Sequence, residues 1–414
     1  MQALLVILLW WLVIPVQGLL LLHTLFNAHF LRRLRPTELS RVGISAPLPI
    51  SVLIPARNEE RRIHDCLSSL LAQEPAPSEI ILLDDRSSDA TAQIARSLGF
   101  HEGEGGEGHR LRLLMGKELP DGWVGKNWAC HQLSQVADAR STHLLFTDAD
   151  TIHASASLRT ALAYAESERL DLLSLWPDQI TASWSEKLVI PLGYLVIVCF
   201  QPFALLSTLQ AKPERVRRWG VSREQLASMG VANGQFLLFR RAAYELIGGH
   251  EALRDHLVED LAFGRRIAAR TGEGMRLTNG DGTALLRCRM YTCFQELWEG
   301  FSKNMRPAFE ESILSFLIFG FLITSFFLLP FLLLPLSYFF HGLLEPACLA
   351  VALIFATRLF LTLRYKSSWL SLCAHPIALL LMCSIALNSW RLCLGGGVSW
   401  KGRTYSGATK GSLE

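Results

Sequence analysis

The chain has 414 residues, half of them hydrophobic and 19% charged, with a net charge of +3. So large an apolar share, gathered in blocks, excludes a wholly soluble multidomain enzyme, and basic residues that cluster beside those blocks exclude a nucleic-acid binder. Nine cysteines without a CxxC or a His/Cys ligand spacing argue for reduced, structurally ordinary thiols.

Residues Ala3 to Leu22 form an apolar run without a charge, long enough at 1.5 Å per residue to cross a hydrocarbon core of ~30 Å. A signal peptide is the weaker alternative, because no basic segment precedes the run and Leu19 to Leu22 carries it past the cleavage-like Val16 to Gly18. Arg32, Arg33 and Arg35 follow and hold that flank in the cytoplasm, with the N-terminus outside. Residues 1–24 are therefore expected to be a transmembrane helix, and residues 48–310 a cytoplasmic domain.

In that domain Ile50 to Ile54 reads as a strand ended by Pro55, and Arg61 to Ala72 has the apolar spacing of a helix. Glu79 to Leu83 is a second strand that stops at Asp84 and Asp85, after which Ser87 and Ser88 are expected to cap a helix over about Ala90 to Leu98. Strand and helix repeating in this order predict a mostly parallel sheet with a binding crevice at its carboxyl edge. Gly103 to Gly108 reads as a flexible surface loop. Gly122 to Ala129 (GWVGKNWA) precedes a helix and sets Lys126 and Asn127 behind a glycine. A lysine there can neutralise phosphate charge, or can be a surface lysine beside two packing tryptophans.

The stretch LLFTDAD, Leu144 to Asp150, ends an apolar strand with two carboxylates one residue apart. Hard oxygen ligands at that position suit Mg²⁺ or Mn²⁺ bridging a diphosphate, although Asp148 and Asp150 could merely cap a helix beginning near Ser155. Leu188 to Leu209 is nearly uncharged and contains Pro191 and Pro202. One crossing there would put Asp150 and Asp260 on opposite faces of the bilayer, so 188–209 is expected to be an interfacial or re-entrant hairpin, with a buried core helix as the alternative. Arg215, Arg217, Arg218 and Trp219 suit an anionic inner leaflet. Asp255 to Asp260 (DHLVED) starts a helix, where Glu259 and Asp260 complement the dipole and where a carboxylate can also act as a base.

Residues 311–394 form a second membrane region, with spans expected near Ile313 to Pro335, Pro346 to Leu363 and Trp369 to Leu387. Arg364 and Lys366 belong on the cytoplasmic side. Three full crossings would put the basic tail, 395–414, outside, against the charge rule, which leaves open that one segment, such as the Pro376-containing one, is re-entrant.

Taken together, IPARNE (Ile54 to Glu59), LLDDRSSDAT (Leu82 to Thr91), Gly125 and Lys126, TDAD (Thr147 to Asp150) and VED (Val258 to Asp260) resemble glycosyltransferase family 2 over about Ser51 to Phe309. The resemblance implies an α/β fold, a nucleotide-diphospho-sugar transferase (GT-A, Rossmann-like) domain, here with N-terminal and C-terminal transmembrane helices. It assigns Pro55, Ala56, Arg57, Glu59 and Asp85 to the nucleoside, Lys126 to the donor, Asp148 to ribose or metal, Asp150 to the metal and Asp260, with Glu259 beside it, to base catalysis. Where processive members carry QxxRW this chain has MYTCFQELWEGFSKN, Met290 to Asn304. Trp298 is then the expected acceptor floor and Lys303 the positive charge near the diphosphate, and the departure argues for adding one sugar. WEGFSKN and VSWKGRTY (Val398 to Tyr405) are similar to the carotenoid and hopene-associated glycosyltransferases.

The implied activity is inverting, Mg²⁺- or Mn²⁺-dependent transfer of glucose from UDP-glucose to a hydroxyl of a carotenoid- or hopanoid-type lipid at the cytoplasmic membrane. Transfer to a polyisoprenyl phosphate is the alternative and would draw on Arg265, Arg266 and Arg270. A non-catalytic scaffold of a lipid-synthesis complex is the third, and has no chemical reason to carry every carboxylate the reaction needs.

Overall fold

Short apolar runs closed by turn residues build the strands of the computed structural model, which describes residues 2–36, 47–103, 110–309, 312–394, 398–400 and 403–405. In chain order these are β1 (Leu48–Ala56), β2 (Pro77–Asp84), β3 (His101–Glu102), β4 (Leu111–Met115), β5 (His143–Phe146), β6 (Thr151–His153), β7 (Leu172–Trp176), β8 (Asp178–Gln179), β9 (Leu237–Arg240), β10 (Leu277–Asp281) and β11 (Leu286–Cys288). Eight form one sheet in the order β10-β7-β9-β5-β1-β2-β4-β3. Only β9 runs antiparallel to its neighbours. Helices cover both faces, which is why β1 and β2 are buried and apolar along almost their whole length. Three more make a small sheet, β6-β11-β8, beside the carboxyl edge, and near the C-terminus β12 (Val398–Trp400) pairs antiparallel with β13 (Arg403–Tyr405).

Several local expectations shift. β1 continues through Pro55 to Ala56, because its pairing with β5 ends at Leu53 and asks no donor of the proline nitrogen on that side. Ser87 and Ser88 do not cap the next helix, Thr91–Ser97. Its N-cap is Ala90, which has no side-chain cap bond; Asp89 Oδ1 accepts from the Thr91 amide at 3.0 Å, and Ser87 Oγ accepts from the Asn58 amide at 2.9 Å and ties the turn after β2 to the turn after β1. The helix Gly125–Val136 begins inside GWVGKNWA, so Lys126 and Asn127 occupy its first turn. Asp148 and Asp150 cap nothing, since the following helix is Ser157–Ser167 with Ala156 at its N-cap. Of DHLVED only Glu259 and Asp260 lie in the helix Glu259–Ala268. The glycine loop after Gly103 and the side chains of the tail lie outside the described residues.

Among the described residues three helices are long and apolar enough to cross a membrane, namely Ala3–Phe30, Ile313–Leu336 and Leu344–Tyr365. The first runs past residue 24 and contains a π turn, Leu9–Val13, and the second contains another, Thr324–Leu328. At the second turn Gln17 Nε2 donates to the Phe326 carbonyl at 2.6 Å and locks the two helices together. Both π turns widen the helix locally and so free carbonyls for such partners.

The domain ends of two spans are fastened to the edge strand of the sheet. Arg32 and Leu34 add main-chain bonds to Asp281 of β10, and the fully buried Asp281 carboxylate takes Arg33 Nε at 2.8 Å and the guanidinium of Arg364. Arg33 also donates to the Arg364 carbonyl at 2.6 Å.

The expected hairpin over 188–209 is a bent pair of helices, Trp184–Phe200 and Phe203–Ala211, meeting at 47°. The first half packs on the membrane helices. Asn27 donates to the carbonyls of Val198 and Gln201, and Arg358 reaches the Pro191 carbonyl at 3.3 Å. Arg358 lies about 10 Å before Tyr365 along its helix. The second half returns to the domain, where Leu206 joins the sheet core.

The expected third C-terminal span is broken into Trp369–Cys373 and His375–Leu394. His375 lies beside Phe327 and Phe331 in the far half of Ile313–Leu336, and Trp390 beside Phe316 near its start. The last helix thus begins deep among the spans and returns to the domain side.

Candidate active site

Three strand ends and two helix starts converge on one crevice of about 550 Å³. β1 delivers Pro55, Ala56 and the turn residues Arg57 and Glu59, and Asp85 follows β2. Arg57 Nη1 donates to the Asp85 carbonyl at 2.6 Å and holds those turns together. Asp148 and Asp150 leave β5 on the same edge, and Lys126, Glu259 and Asp260 close the far side.

The centre of the site is Lys126. Its ammonium lies 2.7 Å from Asp148 Oδ1 and 2.7 Å from Glu259 Oε1, so one cation joins the strand end to the helix start. Burial opposes its charge, but these two carboxylates outweigh burial and hold Lys126 well above the usual lysine range. Burial likewise disfavours the charge of Glu259, and the same lysine overcomes it, leaving Glu259 below the ordinary carboxylate value.

Asp260 is held differently. Its two oxygens accept main-chain N–H groups, Oδ1 from Leu261 and Oδ2 from Gly234, each at 2.8 Å. Burial, then the neighbouring Glu259 charge, pushes Asp260 up to about 6, with Lys126 acting in the opposite direction. A carboxylate near that value takes a proton at neutral pH more readily than an ordinary aspartate. Gly234 must be bare, because a Cβ there would sit 3.1 Å from Lys126 Nζ and 3.3 Å from Asp260 Oδ2.

Asp150 is pushed up to about 7, first by burial, then by the charges of Asp148 and Glu59. The crevice as a whole carries eight carboxylates, Glu59, Asp85, Asp148, Asp150, Glu259, Asp260, Glu296 and Glu299, against Arg57, Arg62, Lys126 and Lys303. A nucleoside diphosphate could not settle against that excess of negative charge unaided. Crowded hard oxygen donors of this kind fit a divalent cation. Among the described residues no group of three or more His, Cys, Asp or Glu side chains is arranged to hold a metal by itself. Asp148 and Asp150 are the side chains there that could hold one.

Every site residue expected from the sequence lines this crevice except Trp298. Trp298 packs against the membrane-helix cluster, with its ring 5.7 Å from Phe294. Lys303 reaches the crevice from the same helix, Phe294–Met305. Arg265, Arg266 and Arg270 do not line it, and Arg265 donates to the Ala308 carbonyl instead.

Sequence reasoning missed Arg62, which bridges Glu59 and Glu296 at 3.4 Å each, and missed Asn233, Gly234 and Gln235. A glycine flanked by two amides just before an apolar strand is the signal that could have found the second group. Met290 and Tyr291 were noticed only as sequence. They line the crevice and also belong to the membrane-helix packing, so one short segment separates the two.

The sequence model of glycosyl transferase family 2 matches residues 51–245, and that of glycosyl transferase family 21 matches residues 204–413. The chain is 28% identical over 373 residues to 4,4'-diaponeurosporenoate glycosyltransferase of Staphylococcus aureus, covering 86% of this chain and 88% of that one. Among solved structures, a mannosyltransferase from Pyrobaculum calidifontis in complex with GDP-Man and Mn²⁺ aligns at TM-score 0.46 and 16% identity, covering 94% of this chain and 99% of the other. Mannosyl-3-phosphoglycerate synthase from Rubrobacter xylanophilus aligns at TM-score 0.40 and 17% identity over 70% and 80% of the two chains. The chain belongs to glycosyl transferase family 21, whose model matches half of it, carries a family 2 domain over residues 51–245, and is a transferase enzyme.

Proposed function

We propose that this glycosyltransferase moves a single sugar, with inversion, from a nucleotide-diphosphate donor to the polar end of a carotenoid-type lipid that stays in the cytoplasmic membrane. UDP-glucose is the donor we expect. The observation that carries this is the crevice itself, where a metal-suited carboxylate pair, a phosphate-suited lysine and a main-chain-anchored Asp260 share a wall, Met290 and Tyr291, with the membrane helices. Likeness along nearly the whole chain to a relative named for a carotenoid-type acceptor supports the acceptor class.

Arg57, Glu59 and Asp85 would hold the nucleoside, and Lys126 and Lys303 the diphosphate charge. Bound by Asp148 and Asp150, a divalent cation would supply Lewis acidity at the departing diphosphate. Asp260 takes the proton from the acceptor hydroxyl as its oxygen forms the new bond to the anomeric carbon. Trp298, on the face of its helix that packs on the membrane-helix cluster, would contact the acceptor only where its chain leaves for the bilayer.

The domain sits on the cytoplasmic side, the N-terminus outside, and His375–Leu394 returns to the domain side, which keeps Arg391 and the basic tail where the charge rule wants them. Purified full-length protein given UDP-glucose, Mn²⁺ and a hydroxylated carotenoid should yield a lipid heavier by one hexose, with inverted anomeric configuration by NMR. No product with any carotenoid acceptor would defeat the proposal.

A second acceptor chemistry has one observation in its favour, since the name of the relative denotes a carboxylate. Such an acceptor is already ionised at neutral pH and needs no base. Asp260→Asn separates the two, because it stops transfer to a hydroxyl and spares transfer to a carboxylate.

A further inference from the structure

Two cations join parts of the crevice, and they do so with different grip. Lys126 lies 2.7 Å from each of its two carboxylates. Arg62 holds its own pair more loosely, with Nη1 3.4 Å from Glu59 Oε2 and Nη2 3.4 Å from Glu296 Oε2. Those two carboxylates belong to opposite walls. Glu59 is in the turn after β1, and Glu296 is in the first turn of the helix Phe294–Met305.

Both ends of the Arg62 contact are fixed by the chain around them. The Arg62 and Ile63 amides donate to the Glu59 carbonyl at 2.9 Å each, and the Glu59 amide donates to the hydroxyl of the fully buried Thr91 at 2.8 Å. At the other end the Thr292 amide and hydroxyl donate at 2.8 and 2.9 Å to the same Glu296 oxygen that Arg62 approaches. Thr292 follows Tyr291, whose ring lies so close on Gly300 of that helix that a Cβ there would collide with it. The spacing of Glu59 and Glu296 is thus also the spacing of the donor turn and Tyr291. A planar guanidinium has two separate ends and can hold two carboxylates at a set distance. The three side chains are partly exposed, where such pairs add little stability, so what this one supplies is placement.

We infer that Arg62 is a positioning residue that sets the distance between the donor turn and the Met290–Tyr291 wall, and with it the alignment of the lipid acceptor on the donor. Without the guanidinium, Glu59 and Glu296 face each other as like charges and push the walls apart. A misplacement of about 1 Å can cost about 10²-fold in rate. Water needs no such wall to reach the anomeric carbon. Arg62 therefore controls how the donor is divided between lipid and water.

This rests on the lipid transfer proposed above. Full-length protein in detergent is given UDP-glucose and Mn²⁺ with and without a hydroxylated carotenoid. Glycosylated lipid measures transfer and free glucose measures hydrolysis, with UDP affinity by calorimetry and thermal unfolding in parallel. Arg62→Gln should cut transfer at least about tenfold more than hydrolysis. Glu296→Gln can keep the Thr292 bonds and removes attraction and repulsion together, so the ratio of transfer to hydrolysis should fall only about threefold. Adding Glu296→Gln to Arg62→Gln should then restore much of the loss, because the unopposed second charge is gone, whereas two merely structural defects would compound. Thr292→Val frees Glu296 to swing and should lower the ratio at unchanged UDP affinity, which gives a second route if Arg62→Gln unfolds early. Transfer and hydrolysis that fall in step, or losses that multiply in the double variant, overturn the inference alone. Wild-type protein that hydrolyses the donor but glycosylates no carotenoid overturns the proposed function and this inference with it.

Discussion

The two walls of the crevice are held by different means. The donor wall, Pro55 to Glu59, Asp85, Asp148 and Asp150, stands at the ends of paired strands inside an eight-stranded sheet, and main-chain bonds fix its turns. The opposite wall, carrying Glu296, Glu299 and Lys303, is one helix, Phe294–Met305, and its support comes from the membrane region. Asn388 donates to Ser302 at 2.9 Å, Ser389 accepts the Arg306 amide at 2.9 Å, and the Arg306 guanidinium lies 4.8 Å above Trp390. Under the proposed function the cation site therefore rests on the sheet and acceptor handling on the apolar helices, so damage to each wall should have its own kinetic signature.

Asp260→Asn should cause the greatest loss, about 10²- to 10⁴-fold in kcat with a hydroxyl acceptor, while UDP affinity by calorimetry stays within about twofold. Loss of UDP binding as well would show that the carboxylate serves the donor wall. Asp150→Ala should come next, weakening Mn²⁺-dependent UDP binding by at least about tenfold. Donor binding indifferent to both Mn²⁺ and this substitution would remove the metal from the donor wall.

The pH profile tests the proposed base more gently. Asp260 must be ionised to accept a proton, and its folded-state value is raised to about 6, so kcat/KM should climb as pH rises through about 6 and level off above it. A rate that falls over that range would be incompatible with a base at this position. The smallest effect should come from the membrane-supported wall. Asn388→Ala removes one hydrogen bond, worth about 1 kcal/mol, and should raise KM for the lipid acceptor about fivefold with UDP affinity unchanged. An equal change in both would mean that the walls are mechanically one.

This contrast also explains what could be read from the residues alone. TDAD and LLDD announce themselves because an apolar run that ends in carboxylates is a local pattern, and the sheet edge then collects such ends by topology, whereas VED shows as an acidic helix start. Arg62 carries no local mark, and Gly234 and Gln235 carry only that of a glycine between two amides. Arg62 matters through Glu296, more than two hundred residues away, and Gln235 through the thiol of Cys288. Composition marks the segment after Lys366 as apolar but says nothing of where its helix begins, and packing against Phe327 and Phe331 decides that.

The Asp281 pairing has a practical corollary. Trimming away the first 36 residues, or everything beyond Ile313, would leave a buried anion without one of its two arginines, and the first cut would also strip the outermost strand of its added main-chain bonds. Losing one partner of a buried ion pair typically costs about 3–5 kcal/mol, a large share of the stability of a whole domain. Excising the catalytic portion to obtain a water-soluble enzyme should therefore yield aggregated protein, because here the anchor is part of what folds.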